Sequence, residues 1–389
     1  MRETLLPYFR PHIDERTIAR VTDALRNGWL TTGPTTHAFE ERIAALAGVR
    51  HAIAVNSATA GLHLAMVARD IGPGDEVVLP ALSFVSAAHC VRHCGATPVF
   101  CDVEPDTLCV SVATIEPHLT ARTKAIVTMP YAGRPLGNQT VYAYAAARGI
   151  TVIEDAALGI GTLDDGHWPG AAGSDCAIFS FYATKNITSA EGGMLLTNDD
   201  ALAERVRLLA LHGMDRDAWK RYSAGGSWRY DVTAVGFKYN LPDLCATLAL
   251  GQLELLETMQ QRRDAIAARY LAALASIEGV VPAALGRIGP NDRHSWCFFP
   301  VSIAPHDDIT RETVAIAMRA ANISTSVHYI PSHLFSIYRD RAPSLPITEV
   351  AWTRLLSLPL FPAMTDDDAD DVIDALAFAL AGRRHAVAR

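Results

Sequence analysis

Short apolar runs recur through the first half of the chain, separated by stretches whose apolar residues return at helical spacing. His51–Val55, Glu76–Leu79 (ended by Pro80), Thr97–Asp102, Lys124–Thr128, Thr151–Glu154, Ala177–Phe181 and Gly193–Thr197 read as strands. Thr59–Arg69 reads as a helix, with Leu62, Ala65 and Met66 at helical spacing. Strands that are apolar throughout, alternating with helices, predict a mostly parallel sheet covered on both faces. In such a sheet ligands bind beyond the carboxyl ends of the strands, so the residues just after each run are where chemistry is expected.

From about Leu241 the pattern changes. Leu244–Leu274 is rich in Ala and Leu and free of Pro, which predicts a long connecting helix. An apolar run (Trp296–Ile303), an amphipathic helix (Arg311–Ala321), a second run (Ser324–Tyr329) and a terminal helix after Asp366–Asp368 follow. The acidic residues suit that helix's N-terminus. We expect an α/β protein with a large domain over residues 1–250 and a smaller α+β domain over 251–389.

Composition removes several classes of function. A net charge of −8 over 389 residues leaves no basic footprint for nucleic acid. It still allows an anionic ligand, because backbone amides and a few local cations hold phosphate. No apolar run approaches the roughly 20 residues of a membrane span. Met1–His12 carries prolines and charges where a secretory signal needs an apolar stretch, so a cytoplasmic protein is expected. Seven cysteines without a framework spacing read as reduced thiols. His89, Cys90, His93 and Cys94 would pair on helix faces at i,i+4, with Cys101 and Cys109 beyond. Cysteine serving as a small apolar residue explains them without a metal.

Three strand ends carry the candidate chemistry. Asn56–Gly61 is a turn of small residues leading into a helix, where backbone N–H groups and the helix dipole suit a phosphate; a well-capped helix would look the same. Asp155 ends a second strand. A carboxylate there can keep a pyridine nitrogen protonated, and a helix cap is the alternative. Ser180 to Asn186 ends a third, followed by Glu191-Gly192-Gly193. Lys185 in that loop can form a Schiff base and then serve as a general base, whereas a lone loop lysine is commonly just solvated. Together they suit one ligand with a phosphate, a ring nitrogen and an aldehyde.

With these features in view the chain resembles the DegT/StrS-type sugar aminotransferases, which use pyridoxal 5′-phosphate (PLP). The matching stretches are Gly28–Pro34, Asn56–Gly61, Gly72–Val77, Gly95–Val99, Glu154–Ala157, Ser180 with Lys185, and Glu191–Gly193. The resemblance runs from about Leu25 to about Ala381 and implies the aspartate-aminotransferase-like fold, fold type I. The subgroup that aminates 4-keto sugars, of the 4-amino-4-deoxyarabinose type, shares Lys185–Thr188 and much of Lys238–Asp243. By the resemblance, Lys185 is the catalytic lysine that holds PLP and Asp155 pairs with its ring nitrogen. Ala58, Thr59 and Ser180 hold the phosphate, and Phe84 stacks on the ring. Leu158 stands where relatives carry Gln or His near that ring, and it cannot hydrogen-bond. Asn186, His328 and Tyr329 face the substrate. Lys238 reaches the phosphate of a partner subunit, which implies a homodimer with shared active sites.

The activity so implied is transfer of the amino group of L-glutamate to the C4 ketone of a nucleotide-linked sugar, with thymidine-diphospho-4-keto-6-deoxyglucose expected. A C3 ketone and a uridine-diphospho-4-keto-pentose are the alternatives. A PLP dehydratase of the same scaffold would carry His in place of Lys185. A cysteine desulfurase would lack the long match. A regulator without turnover would not need Lys185, Asp155 and Ser180 together.

Overall fold

The apolar runs of the first half all become strands of one sheet. The computed structural model describes residues 2–215, 229–341 and 343–381. In chain order the first half runs α1 (Glu15–Asn27), α2 (Pro34–Ala47), β1 (His51–Val55), α3 (Ala58–Ala68), β2 (Glu76–Pro80), α4 (Ser86–His93), β3 (Thr97–Cys101), α5 (Val112–Ile115), β4 (Thr123–Thr128), α6 (Gln139–Ala146), β5 (Thr151–Glu154), β6 (Cys176–Ser180), β7 (Gly193–Thr197) and α7 (Asp200–Ala210).

The strand order is β1-β7-β6-β5-β4-β2-β3. β3, β2, β4, β5 and β6 are parallel, whereas β7 runs antiparallel to both of its neighbours, β1 and β6. Alternation along each strand feeds two cores. Ile178 packs with Leu62, Leu64 and Met66 of α3 and Val206 of α7. Phe179 faces the other way, onto Phe39 and Ile43 of α2. This is the doubly covered sheet that the apolar runs predict.

The long helix expected over 244–274 forms as two pieces, α8 (Asp243–Glu254) and α9 (Leu256–Leu274), separated at Leu255. The two halves serve different partners: α8 packs on α1 and α2. The later helix packs against β8 (Val280–Pro282) and the terminal α12 (Asp366–Leu380). Between them lie β9 (Phe299–Ile303), α10 (Arg311–Ala320), α11 (Pro346–Arg354) and β10 (Leu355–Leu358). β10, β9 and β8 make an antiparallel sheet whose core holds Tyr270, Phe299, Val301, Met318 and Val372. The run 324–329 joins no strand beyond a single bridge from Ser326 to Ser357. It bends instead to deliver His328 and Tyr329.

Two tertiary ties position the site. The N-terminal strap lies on the smaller sheet's layer: Leu6 donates its N–H to Asn322 O (2.8 Å) and accepts from Ser324 (3.0 Å). Asp243 links two distant stretches by accepting from the N–H groups of Gly33 (2.7 Å), Thr35 (3.1 Å) and Thr36 (2.9 Å) and from the Thr36 hydroxyl (2.6 Å). The start of α2 is thereby capped by a residue more than 200 positions away, through charge-assisted hydrogen bonds. Among the described residues no helix is long and apolar enough to cross a membrane.

Candidate active site

The register of the sheet gathers the strand ends. Val55 pairs with Gly193, and Gly193 pairs with Ser180, so the ends of β1 and β6 stand on either side of the first residue of β7. Neighbouring strands are roughly 4.8 Å apart, which leaves Val55 and Ser180 roughly 10 Å apart across that glycine. A Cβ at Gly193 would lie 2.5 Å from Ser57 C and 2.6 Å from Ala58 N. The turn before α3 therefore presses onto the backbone of β7, and position 193 requires glycine by close approach rather than by left-handed geometry.

Ser57 caps α3, its side chain accepting from Ala60 N–H at 3.1 Å. The N–H groups of Ala58 and Thr59, in the first turn, have no intrahelical acceptor and so suit an anion. Thr59 is exposed beside them. Behind the turn, Cys90 Sγ donates to Thr59 O at 3.3 Å. Cys90 is a buried thiol packed in the core, and His89 and His93 stack edgewise on each other. Among the described residues no three His, Cys, Asp or Glu side chains are grouped to hold a metal.

Asp155 follows β5, and its backbone N–H donates to Thr128 O at 2.8 Å. It is 4 % exposed. Its carboxylate accepts one weak bond, from Ala157 N–H at 3.3 Å, and among the described residues it has no salt bridge. Burial pushes its carboxyl up to about 6, against the pull of Ala157 N–H and of the positive Lys185. A buried carboxylate so poorly supplied with donors fits a cationic N–H.

Lys185 sits in the turn after β6, where its N–H donates to Tyr182 O at 2.9 Å. Its charge acts on both Asp155 and His328. His328 is driven down to about 3, first by burial and then by Lys185, and is therefore a neutral imidazole. Tyr329 packs near Phe84, ring centroids 5.9 Å apart. Phe84 is 56 % exposed, a large ring left open at the mouth of the site. Its loop is held in place by Ser332, which donates N–H to Ala81 O (2.7 Å) and hydroxyl to Ser83 O (3.2 Å).

Three expected residues have more structural surroundings. Asn186 is buried, and its amide donates to Ser295 O (2.7 Å) and Ile160 O (3.2 Å), so its donors tie loops together and only its oxygen is uncommitted. Leu158 lies in an apolar cluster with Tyr131 and Phe298, with Tyr329 packed against it. A leucine there extends hydrophobic packing where a polar side chain would need partners. Lys238 donates to Asn240 Oδ1, and its own carbonyl accepts from Asn56 Nδ2 at 3.3 Å. Its segment therefore flanks the turn before α3 of the same chain.

Residues that the sequence reading passed over complete the surroundings. The Tyr131 hydroxyl donates to His328 O, and Ser357 Oγ lies 2.9 Å from His328 Nδ1. Ser357 left one signal: it is a lone hydroxyl in the otherwise apolar strand Leu355–Leu358. Nothing marked Tyr131, because its role depends on where the second half of the chain returns.

Residues 11–377 match the model of the DegT/DnrJ/EryC1/StrS aminotransferase family. The spore coat polysaccharide biosynthesis protein SpsC of Bacillus subtilis is 42 % identical over 381 residues, covering 96 % of this chain and 97 % of SpsC. Among solved structures, DesI in the presence of its TDP-sugar product aligns at 33 % identity and a TM-score of 0.86, covering 98 % of this chain and 95 % of DesI. The putative sugar aminotransferase Spr1654 of Streptococcus pneumoniae, in its PLP form, aligns at 27 % identity and a TM-score of 0.85, covering 97 % of this chain and 99 % of Spr1654.

Proposed function

The chain belongs to the DegT/DnrJ/EryC1/StrS aminotransferase family and is a PLP-dependent sugar aminotransferase, and from that premise we propose that it moves the amino group of L-glutamate to the C4 ketone of thymidine-diphospho-4-keto-6-deoxyglucose, with Lys185 as the reacting amine. The observation that carries the assignment of roles is the register Val55–Gly193–Ser180, which sets an anion-binding turn, a serine hydroxyl and a lysine loop on one sheet edge, with the Asp155 carboxylate beyond the next strand. When bound, PLP supplies an aldehyde for the amino group and a ring into which the electrons of a breaking C–H bond are drawn. Ala58, Thr59 and Ser180 hold its phosphate. Asp155 keeps a proton on its ring nitrogen. Lys185, within the field of Asp155, would take the proton from the α-carbon of the amino donor in the first half-reaction and deliver a proton to C4 of the sugar in the second. Phe84 would cover a face of the ring, and the apolar packing of Leu158 and Tyr329 would help keep water out of the site.

The thymidine nucleotide is supported by DesI, whose solved structure includes its TDP-sugar product. C4 is supported by the runs Lys185–Thr188 and Lys238–Asp243, shared with the subgroup that aminates 4-keto sugars. The test offers three acceptors with glutamate and detects amino product by mass: thymidine-diphospho-4-keto-6-deoxyglucose, its 3-keto isomer and a uridine-diphospho-4-keto-pentose. The first should be the main substrate. Product from the 3-keto isomer alone would overturn C4, and product from the pentose alone would overturn the hexose.

The working unit is a homodimer in this reading. Leu30, Tyr230, Val232 and Val235 are exposed apolar side chains on segments flanking Lys238 and Thr32, where a second subunit would cover them. Sedimentation should give twice the chain mass, and full turnover by a monomer would contradict a shared site.

A further inference from the structure

The turn that carries Lys185 closes mostly on itself. Lys185 N–H donates to Tyr182 O at 2.9 Å, and farther on Ser189 N–H (2.9 Å) and the Thr188 hydroxyl (3.1 Å) return to Phe181 O. One side chain reaches beyond the turn. Asn186 Nδ2 donates to Ile160 O (3.2 Å), in the stretch after β5, and to Ser295 O (2.7 Å), in the stretch before β9. Among the described residues it is the only side chain of 182–189 that hydrogen-bonds outside 180–191. Asn186 is 5 % exposed and Ser295 is fully buried.

The two bonds fix which way the amide faces. Its NH2 group has two protons, and two carbonyls take them. The reversed amide would set its oxygen against both carbonyls, so the partners determine the orientation. The far anchor is itself held. Ser295 N–H donates to Gly133 O at 2.9 Å, and its Oγ lies 3.0 Å from Leu158 O and 3.2 Å from Gly133 O. The fit is close enough that a Cβ at Gly133 would collide with Ser295 Oγ. Next to it, His294 O accepts from Gln260 Nε2 of α9 at 3.0 Å. The residue after Lys185 is thereby tied to a frame that gathers Gly133, Leu158 and Gln260. A lysine amine rides on a flexible four-carbon stem, so its aim depends on how firmly the backbone beneath it is held.

We propose that Asn186 is a positioning residue that pins the backbone beneath Lys185 to the Ser295 and Ile160 carbonyls, so that the amine keeps its place relative to Asp155. Resting on the reading of Lys185 as the reacting amine, the inference gives Asn186 a part in turnover through that lysine rather than through contact with the sugar. Without the tie, the turn stays closed by its own bonds but is free to shift as a unit.

The charge of Lys185 serves as its own position marker, because it holds the Asp155 carboxyl down. Carbon-13 titration of ligand-free protein labelled at aspartate, assigned with Asp155→Asn, should show Asp155 titrating higher in Asn186→Ala than in wild type. With Lys185→Ala in the background the marker is gone, and adding Asn186→Ala should leave the Asp155 titration where it was. In the loaded enzyme Asn186→Ala should lower kcat about tenfold and change KM for the sugar less than about twofold. Asn186→Leu, which fills the space without a hydrogen-bonding group, should show the same changes and serves if Asn186→Ala does not fold. An Asp155 titration that is unmoved or lowered, or that moves equally with Lys185 absent, overturns the tie to the amine. An unmoved kcat overturns the part in turnover, and a raised KM beside it would assign a substrate contact to Asn186 Oδ1, which has no partner in the protein. Failure of the underlying reading would show instead as full turnover in Lys185→Ala.

Discussion

Lys185→Ala is expected to fold normally and to lose at least about a thousandfold in turnover, the scale on which a positioned proton carrier acts. The loop carrying it does not depend on the side chain, because the tie at 185 is the backbone bond to Tyr182. Cofactor binding should persist through Ala58, Thr59, Ser180 and Asp155, while borohydride should no longer fix the cofactor to the chain. Removing the cation also has an effect visible without catalysis. Lys185 holds both the Asp155 carboxyl and the His328 imidazole down. Both should therefore titrate higher in ligand-free Lys185→Ala, Asp155 above about 6 and His328 above about 3. Wild-type turnover in the variant would remove Lys185 from the mechanism.

Asp155→Asn should lose about a hundredfold in turnover, because a neutral amide cannot hold the ring-nitrogen proton. In ligand-free protein the same change should stabilise the fold. The carboxyl is carried from its ordinary 3.8 to about 6 by burial. Keeping it ionised inside the protein therefore costs on the order of 3 kcal/mol at high pH. Because the folded value is raised, the native state holds the proton more tightly than the unfolded chain. The cost is fully present above about pH 6 and disappears as pH falls below the ordinary carboxyl range. Urea unfolding at pH 8 should show ligand-free Asp155→Asn more stable than wild type, and at pH 4 most of the difference should be gone. A variant less stable at pH 8 would mean that the carboxylate is better satisfied in the ligand-free site than its single bond to Ala157 indicates.

Much of this site could be read in the sequence because strands with both faces buried are recognisable by apolar runs alone, and ligands gather at their ends. Asp155 and Lys185 each follow such a run, and Ser180 stands at the end of one. Gly193 was visible as part of a glycine pair, but the reason for it was not. That reason is the approach of Ser57 and Ala58 from a strand far earlier in the chain. The antiparallel course of β7 was likewise invisible, since an apolar pentapeptide has the same pattern in either direction. The break at Leu255 escaped because propensity is continuous through it and only the change of packing partner divides the helix. Asn186 looked like a substrate contact from its place beside Lys185. Its neighbours Ile160 and Ser295, which engage its amide, become adjacent only when the second half folds back.

The position of β7 bears on the order of events as the chain folds. β1 is the first strand in sequence, yet its sole strand neighbour within the described residues is β7. The loop to be closed for that pairing spans about 140 residues, a costly non-local step of the kind that slows folding. Until β7 inserts between β1 and β6, the turn at Ser57 and the serine at 180 have nothing to hold them in register. The meeting of the Ser57 turn with Ser180, the phosphate seat in the function proposed above, is then among the last features to form, whereas the parallel β4–β5–β6 block can assemble from nearer contacts. If the proposed site holds the cofactor, a nascent chain still short of residue 197 has no complete seat for it, and cofactor uptake during refolding becomes a reporter of sheet completion rather than of early collapse.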